Sequence, residues 1–212
     1  LDETLPEAHT VVGLLRALDY DWQGAEREAI RALELDLQSG DAVDGYCFFY
    51  LVPMRRLDEA IAMTRKALER DPLSALFQFH LGYWNYFARQ YDRAIEHARS
   101  ALELDPNYWQ AHAVLAACYP IMGKPEESIR AMETCMQLAG RSPILLGVLG
   151  TIYAFAGRIG ETSKLLAELQ ELEQRIYVPP CAFAWIYQGL GEIDKALDWC
   201  EKAIDERDSW IF

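Results

Sequence analysis

The chain has 212 residues, Lys+Arg 20 against Asp+Glu 33, and a net charge of −13 at pH 7. With 51% hydrophobic and 25% charged residues it has the mixture of a folded globular chain, not of a disordered one. A surface this acidic repels phosphate backbones and anionic lipid, so nucleic acid and membrane surfaces are excluded as direct partners, and no apolar run reaches the roughly 18–20 residues that cross a bilayer.

The length resolves into six segments of 34 residues, at 6–39, 41–74, 75–108, 109–142, 143–176 and 177–210. A fixed period in this range marks a repeat array instead of one compact enzyme domain. Residues 1–5 read as the remnant of a preceding repeat, since Leu1-Asp2 matches Leu104-Asp105, and Gly40 stands as one additional residue at the first junction. The N-terminus has neither an initiator Met nor signal-peptide character, which reads as a piece excised from a longer chain.

Each segment splits into two helical stretches. Small residues recur in fixed slots: Gly13, Phe48, Gly82, Ala116, Gly150, Ala184 in the first helices, and Ala25, Ala60, Ala94, Ser128, Thr162, Ala196 in the second. A further second-helix slot holds Ala32, Ala67, Ala101, Cys135, Leu169 and Ala203. Small slots let two helices approach closely, and larger apolar residues around them give each helix a buried stripe. Phe48 breaks its slot, so the helices of the second segment are expected to pair loosely or in a shifted register. In the fourth segment Trp109–Met122 and Pro125–Ala139 are the expected helices, with Gly123 in the left-handed turn between them. Gly157 and Gly191 repeat that role, whereas Arg55 and Arg89 fill it earlier, where the turn must be strained or differently built. Pro53 and Pro120, late in first helices, predict an early helix stop or else a kink.

Chemistry-bearing motifs are missing: there is no Gly-x-Gly-x-x-Gly, phosphate loop, His-Glu-x-x-His or Gly-x-Ser-x-Gly. Glu126-Glu127 and Asp205-Glu206 read as solvated helix faces, and His80 and His112 as structural residues near the inner surface. The five cysteines (Cys47, Cys118, Cys135, Cys181, Cys200) are odd in number and lack Cys-x-x-Cys spacing. They read as buried small hydrophobes in a reducing cytoplasm. Catalytic residues, metal ligands and cofactors are all read as none.

The 34-residue helix–turn–helix period, Leu-Gly at 81–82 and 149–150, Tyr119, Tyr153 and Tyr187 late in first helices, and Ala-Leu-Glu-x-Asp-Pro at 67–72 and 101–106 resemble tetratricopeptide repeats over residues 6–210. Arg16 and Asn85 depart from the expected large apolar residue. The resemblance implies an all-α, right-handed superhelical solenoid of six repeats. The stretch from Tyr177 to Trp210, and Asp21 to Glu28, resemble the C-terminal repeat regions of multidomain bacterial signalling and transcription regulators. That implies a regulatory or docking module.

In such a solenoid the first helices line the concave face. Residues three or four apart share a helix face, which selects Phe49, Leu76, Phe79, Tyr83, Tyr86, Gln110, Thr151, Trp185 and Gln188 as the partner-binding set. Small neighbours (Ala113, Ala117, Gly147) are expected to leave room beside the rings. That face is nearly uncharged, so the acid belongs on the second helices. The function read from this is a non-catalytic protein-interaction scaffold taking an apolar or amphipathic protein or peptide segment. The alternative is a ligand or signalling-peptide sensor controlling an attached effector. The two ends of the array, without polar caps, are expected to pair end to end with another copy or to be covered by other residues.

Overall fold

The computed structural model describes residues 4–36 and 39–210. The first three helices are α1 (Pro6–Leu18), α2 (Trp22–Leu35) and α3 (Gly40–Tyr46), the last running on as a π-helical turn over Cys47–Leu51. Then come α4 (Leu57–Arg70), α5 (Ala75–Phe87), α6 (Tyr91–Leu104), α7 (Trp109–Cys118), α8 (Pro125–Ala139) and α9 (Pro143–Phe155). The series closes with α10 (Ile159–Glu173), α11 (Pro180–Gly189) and α12 (Ile193–Asp205). No strand occurs among the described residues. The chain forms two compact units that divide between Pro106 and Asn107. Unit 1 holds α1 to α6 and unit 2 holds α7 to α12.

Consecutive helices pair across short turns, and within each unit the pairs stack: α1 on α3 and α4 on α5 in unit 1, α8 on α9 and α9 on α11 in unit 2. The small slots are where this happens. Ala25, Ala60, Ser128, Thr162 and Ala196 are all buried, as are Ala32, Ala67, Cys135, Leu169 and Ala203. Where the slot holds a hydroxyl, that hydroxyl bonds to its partner helix. Ser128 Oγ donates to the Ala116 carbonyl at 2.5 Å, and Thr162 Oγ1 lies between the Gly150 carbonyl of α9 at 3.4 Å and the Arg158 carbonyl of its own turn at 3.1 Å. Buried hydroxyls are thereby satisfied without disturbing the close approach.

All six intra-pair turns close in one way. The amides of Asp21, Arg56, Gln90, Lys124, Arg158 and Glu192 donate to the carbonyls five residues earlier at 2.8–2.9 Å. The residue before each donor is left-handed: Tyr20, Arg55, Arg89, Gly123, Gly157 and Gly191. The turns at Arg55 and Arg89 therefore have the glycine geometry, with φ of 61° and 59°. A side chain in this conformation costs about 1–2 kcal/mol against the right-handed one.

The additional residue lies inside a helix, not at the first junction. Gly40 is the first residue of α3, and Ser39 caps it by accepting the Ala42 amide at 3.2 Å. Ser74 caps α5 in the same way from Phe77. From helix start to left-handed residue is 15 steps in α3 (Gly40 to Arg55) and 14 in α5 (Ala75 to Arg89). The π turn absorbs the difference, with the Val52 amide donating to the Cys47 carbonyl. A π bulge is the usual way to insert one residue without breaking the flanking helix. Cys47, not Phe48, then occupies the small slot, fully buried with its Sγ 3.9 Å from the Ala60 carbonyl. Phe48 is the displaced residue.

One further helix bound differs from expectation. α7 stops at Cys118, four residues short of Met122, because Pro120 cannot donate and the chain turns at once. α11 starts only at Pro180, since Pro179 is held extended before the second proline. The expected remnant at 1–5 and the close at Ile211-Phe212 lie largely outside the described residues.

Candidate functional site

α5, α7, α9 and α11 contain no Asp, Glu, Lys or Arg. Every second helix carries both signs, and α8, α10 and α12 carry more acid than base, with Arg130 the one basic residue of α8 and Lys164 that of α10. The acidity of the chain is thus a property of second helices, as the sequence pattern implied.

In unit 1 the first helices build a continuous run of rings. Phe48 stacks on Tyr83 with centroids 6.1 Å apart and meets Phe49 and Trp84 edge-on. Phe79 stacks on Tyr83 at 5.6 Å, Tyr83 meets Phe87 edge-on at 4.8 Å, and Tyr86 touches both Phe87 and Tyr91. Ring pairs at such distances contribute roughly 0.5–1.5 kcal/mol beyond area burial. Phe49, Leu76, Phe79, Tyr83 and Tyr86 all remain half-buried, so part of each side chain still faces solvent. Burial around the Tyr83 hydroxyl pushes its pKa up to about 12, so it stays neutral at any physiological pH. The sequence reading missed Phe48 and Phe87 as members of this run. Phe48 was legible as an aromatic with no place in a small slot.

Under the rings lies a buried polar layer. Trp84 Nε1 donates to Thr64 Oγ1 at 3.0 Å, and the Cys47 thiol lies 3.9 Å from the same oxygen. Burial pushes the Cys47 thiol up to about 12, beyond any nucleophilic use. His80 stacks on Trp84 at 5.3 Å and sets Nδ1 2.9 Å from Asp44 Oδ1, in the geometry of an ion pair, not of a directed hydrogen bond. His80 is structural, a tie between α3 and α5.

In unit 2 Gln110, Thr151 and Trp185 are half-buried and Gln188 is exposed. No ring run joins them among the described residues. Gly147 leaves no room beside a ligand: a Cβ there would lie 2.7 Å from Ala182 Cβ and 2.8 Å from its Cα. Val178 and Cys181, at the start of the sixth segment, are buried. The Cys181 amide bonds to the buried Asp208 carboxylate at 3.1 Å, and burial and that carboxylate drive the Cys181 thiol pKa up. Burial likewise raises Cys118 to about 12 and Cys135 to about 11. The five cysteines are free.

A cavity between α1, α2 and α3, lined by Thr10, Gly45, Tyr46 and Phe49 among others, measures about 10 Å³. That holds one water, not a metabolite. Among the described residues no group of three or more His, Cys, Asp or Glu could hold a metal, and no helix is long and apolar enough to cross a membrane.

Residues 181–208 match the sequence model of the tetratricopeptide repeat family. The small glutamine-rich tetratricopeptide repeat-containing protein 2 of Saccharomyces cerevisiae is 27% identical over 81 residues, or 38% of this chain. The chain spans 23% of the length of that relative. A solved tetratricopeptide repeat protein from Parabacteroides merdae superposes with a TM-score of 0.68 at 15% identity, over 97% of this chain and 84% of its own. The pilF protein of Pseudomonas aeruginosa gives 0.63 at 19% identity, over 95% and 90%. These likenesses show the fold, an all-α tetratricopeptide array. Proteins of this fold generally mediate protein–protein interactions and are typically non-catalytic scaffolds.

Proposed function

We propose that this chain with the tetratricopeptide fold is a non-catalytic interaction scaffold, the regulatory module of a larger bacterial signalling or transcription-regulating protein. Its ring-bearing surface on unit 1 captures an apolar or amphipathic protein segment. The observation that carries the reading is the contrast within unit 1: on a chain of net charge −13, α5 has no charge and keeps Phe79, Tyr83 and Tyr86 partly open beside Phe49. Half-buried aromatics in a fixed stack are the anchors that binding energy concentrates on. Free cysteines with raised pKa values support a reducing, cytoplasmic setting. For a partner recovered by cross-linking, Phe79→Ala with Tyr83→Ala should lower affinity at least 100-fold, or about 2.7 kcal/mol, in titration calorimetry. Circular dichroism should stay helical, and an unchanged affinity would remove the reading.

A second observation supports end-to-end pairing of copies. Leu197 of α12 stands where Ile61 of α4 and Ile129 of α8 stand in their helices. Those two are buried against α5 and α9, whereas Leu197 is 57% exposed. Val11 and Leu15 of α1 are open as well. A stack that continues from α12 of one copy onto α1 of the next buries both faces, and such a heterologous contact repeats along a line. Sedimentation velocity at rising concentration should show association that Leu197→Asp removes.

A further inference from the structure

The turns of unit 2 carry a feature that capture by the unit 1 rings leaves unused. Ile121 and Met122 lie in the turn after α7, Phe155 ends α9, and Ile159 and Ile193 begin α10 and α12. All five are large and apolar, and all are 38–61% exposed. Their places in the period are regular: Ile121 and Phe155 share one position, Ile159 and Ile193 another. In unit 1 the same positions hold Pro53, Phe87, Leu57 and Tyr91, all half-buried. There Phe87 and Tyr91 are covered by Tyr83 and Tyr86.

Two contacts set the three turns of unit 2 side by side. Arg158, at the second turn, reaches back 2.7 Å to Glu126 at the first. Gly189, at the end of α11, sits so close to α9 that a Cβ on it would lie 2.9 Å from Ala154 Cβ. The exposed residues therefore form one row along the turn edge. α9 and α11 pack directly, and adjacent packed helices are about 8–10 Å apart, which sets the step from the second turn to the third.

Charge around the row is unequal. Arg158 is paired with Glu126, and Lys195 with Glu192. That leaves Lys124 against Glu127, Glu161 and Asp194, none of which has an ion pair among the described residues.

We infer that the turn edge of unit 2 is a second docking surface, built for a basic amphipathic helix laid along the row. The match is metrical as well as electrostatic. Seven residues of α-helix advance about 10.5 Å, close to one repeat step, so an apolar residue every seventh position meets Ile121, then Phe155 and Ile159, then Ile193. Three turns need about 14–15 residues of helix. Lys or Arg beside the apolar stripe meets Glu127, Glu161 and Asp194, and the same acid repels anionic lipid and acidic segments.

The probe is a 21-residue peptide of three heptads, with Leu at the first and fourth positions, Lys flanking them, and Ala and Gln elsewhere. A counterpart carries Glu in place of Lys. Fluorescence anisotropy should show saturable binding of the Lys peptide to the full chain. Phe155→Ser with Ile159→Ser should weaken it at least tenfold, with circular dichroism unchanged. The Glu peptide should bind at least tenfold more weakly. Phe79→Ala with Tyr83→Ala should leave the Lys peptide's affinity as it was. Loss of binding in that variant instead places the peptide on the unit 1 rings, which overturns this inference and leaves the scaffold reading standing. Equal binding of the two peptides, or an indifferent Phe155→Ser/Ile159→Ser chain, overturns it too. So does self-association of the free chain that the same serine pair abolishes, since the row then belongs to a second copy.

Discussion

The two units share one repeat plan and fill it with opposite materials. Unit 1 packs its first helices through rings and buried polar side chains: Phe48 and Phe79 on Tyr83, Trp84 bonded to Thr64, His80 beside Asp44. Unit 2 packs them backbone against backbone, with Gly147 on Ala182 and Gly189 on Ala154. The turns differ in parallel. Those of unit 1 put Tyr20, Arg55 and Arg89 in the left-handed conformation, and those of unit 2 put Gly123, Gly157 and Gly191 there. One plan thus tolerates an inserted residue and strained turns where side chains can adjust. It needs glycine where helices touch directly. Surface follows packing: unit 1 presents half-covered aromatics on its first helices, and unit 2 presents uncovered large apolar residues, Phe155 among isoleucines, at its turns.

The sharpest way to break this contrast is a methyl group added in each unit. Gly147→Ala drives a Cβ into Ala182 Cα and carbonyl, which cannot rotate away. It should cost about 3 kcal/mol by urea denaturation, the upper range for overpacking. Gly45→Ala meets only the Thr10 side chain, methyl first, which can turn away if it gives up the Oγ1 hydrogen bond to the Pro6 carbonyl. It should cost about 1 kcal/mol or less. Similar losses at both sites would erase the distinction.

Exchange of turn residues comes next. Arg89→Gly relieves a left-handed side chain that is exposed, and should stabilise by about 1 kcal/mol, a rise of about 2–4 °C in melting temperature. Gly157→Arg should lose a similar amount. The signs oppose because the two turns have the same geometry.

A smaller effect is set by pH in unit 1. His97 of α6 is bonded to Gln78 at 2.9 Å, and burial holds its pKa below the usual 6.5, with Arg65 and Arg93 adding to that and Glu96 opposing. A histidine depressed in the folded state favours folding in its neutral form. Its contribution is whole above pH 6.5 and falls away as pH drops toward and through the lowered value. Stability measured from pH 7 to pH 5 should therefore decline, and His97→Gln should flatten that decline while unit 2 is unaffected.

Much of this architecture could be read directly. The buried second-helix slots, five of the six turn positions (all but Tyr20) and the absence of charge from α5, α7, α9 and α11 follow from residue type and a 34-residue spacing. The register of α3 could not be read from spacing alone, because an extra residue placed at Gly40 or within the helix leaves every later position unchanged. The deciding sign was Ser39, three residues before Ala42 as Ser74 is before Phe77, a cap that marks where the helix begins. The inner face was legible as a list but not as a surface. Phe79 and Tyr83 remain partly open, while Gly147 is closed by Ala182 of α11 and Cys181 is buried with its amide on Asp208. The row at Ile121, Phe155, Ile159 and Ile193 was visible as apolar residues where turns are usually polar, and passed unnoticed.

What the sequence determined by itself is local and periodic: helix propensity, capping serines, prolines at first turns, left-handed positions, and the sorting of charge to second helices. Each depends on residues within one or two turns of chain, or on a pattern that recurs. What only the tertiary structure decided is which members of an apolar face are covered, where the inserted residue is absorbed, and which glycines touch a neighbour. Those outcomes depend on side chains a full repeat away, and the same residue type is buried at Ile61 and open at Ile193 according to whether a neighbouring helix lies over it.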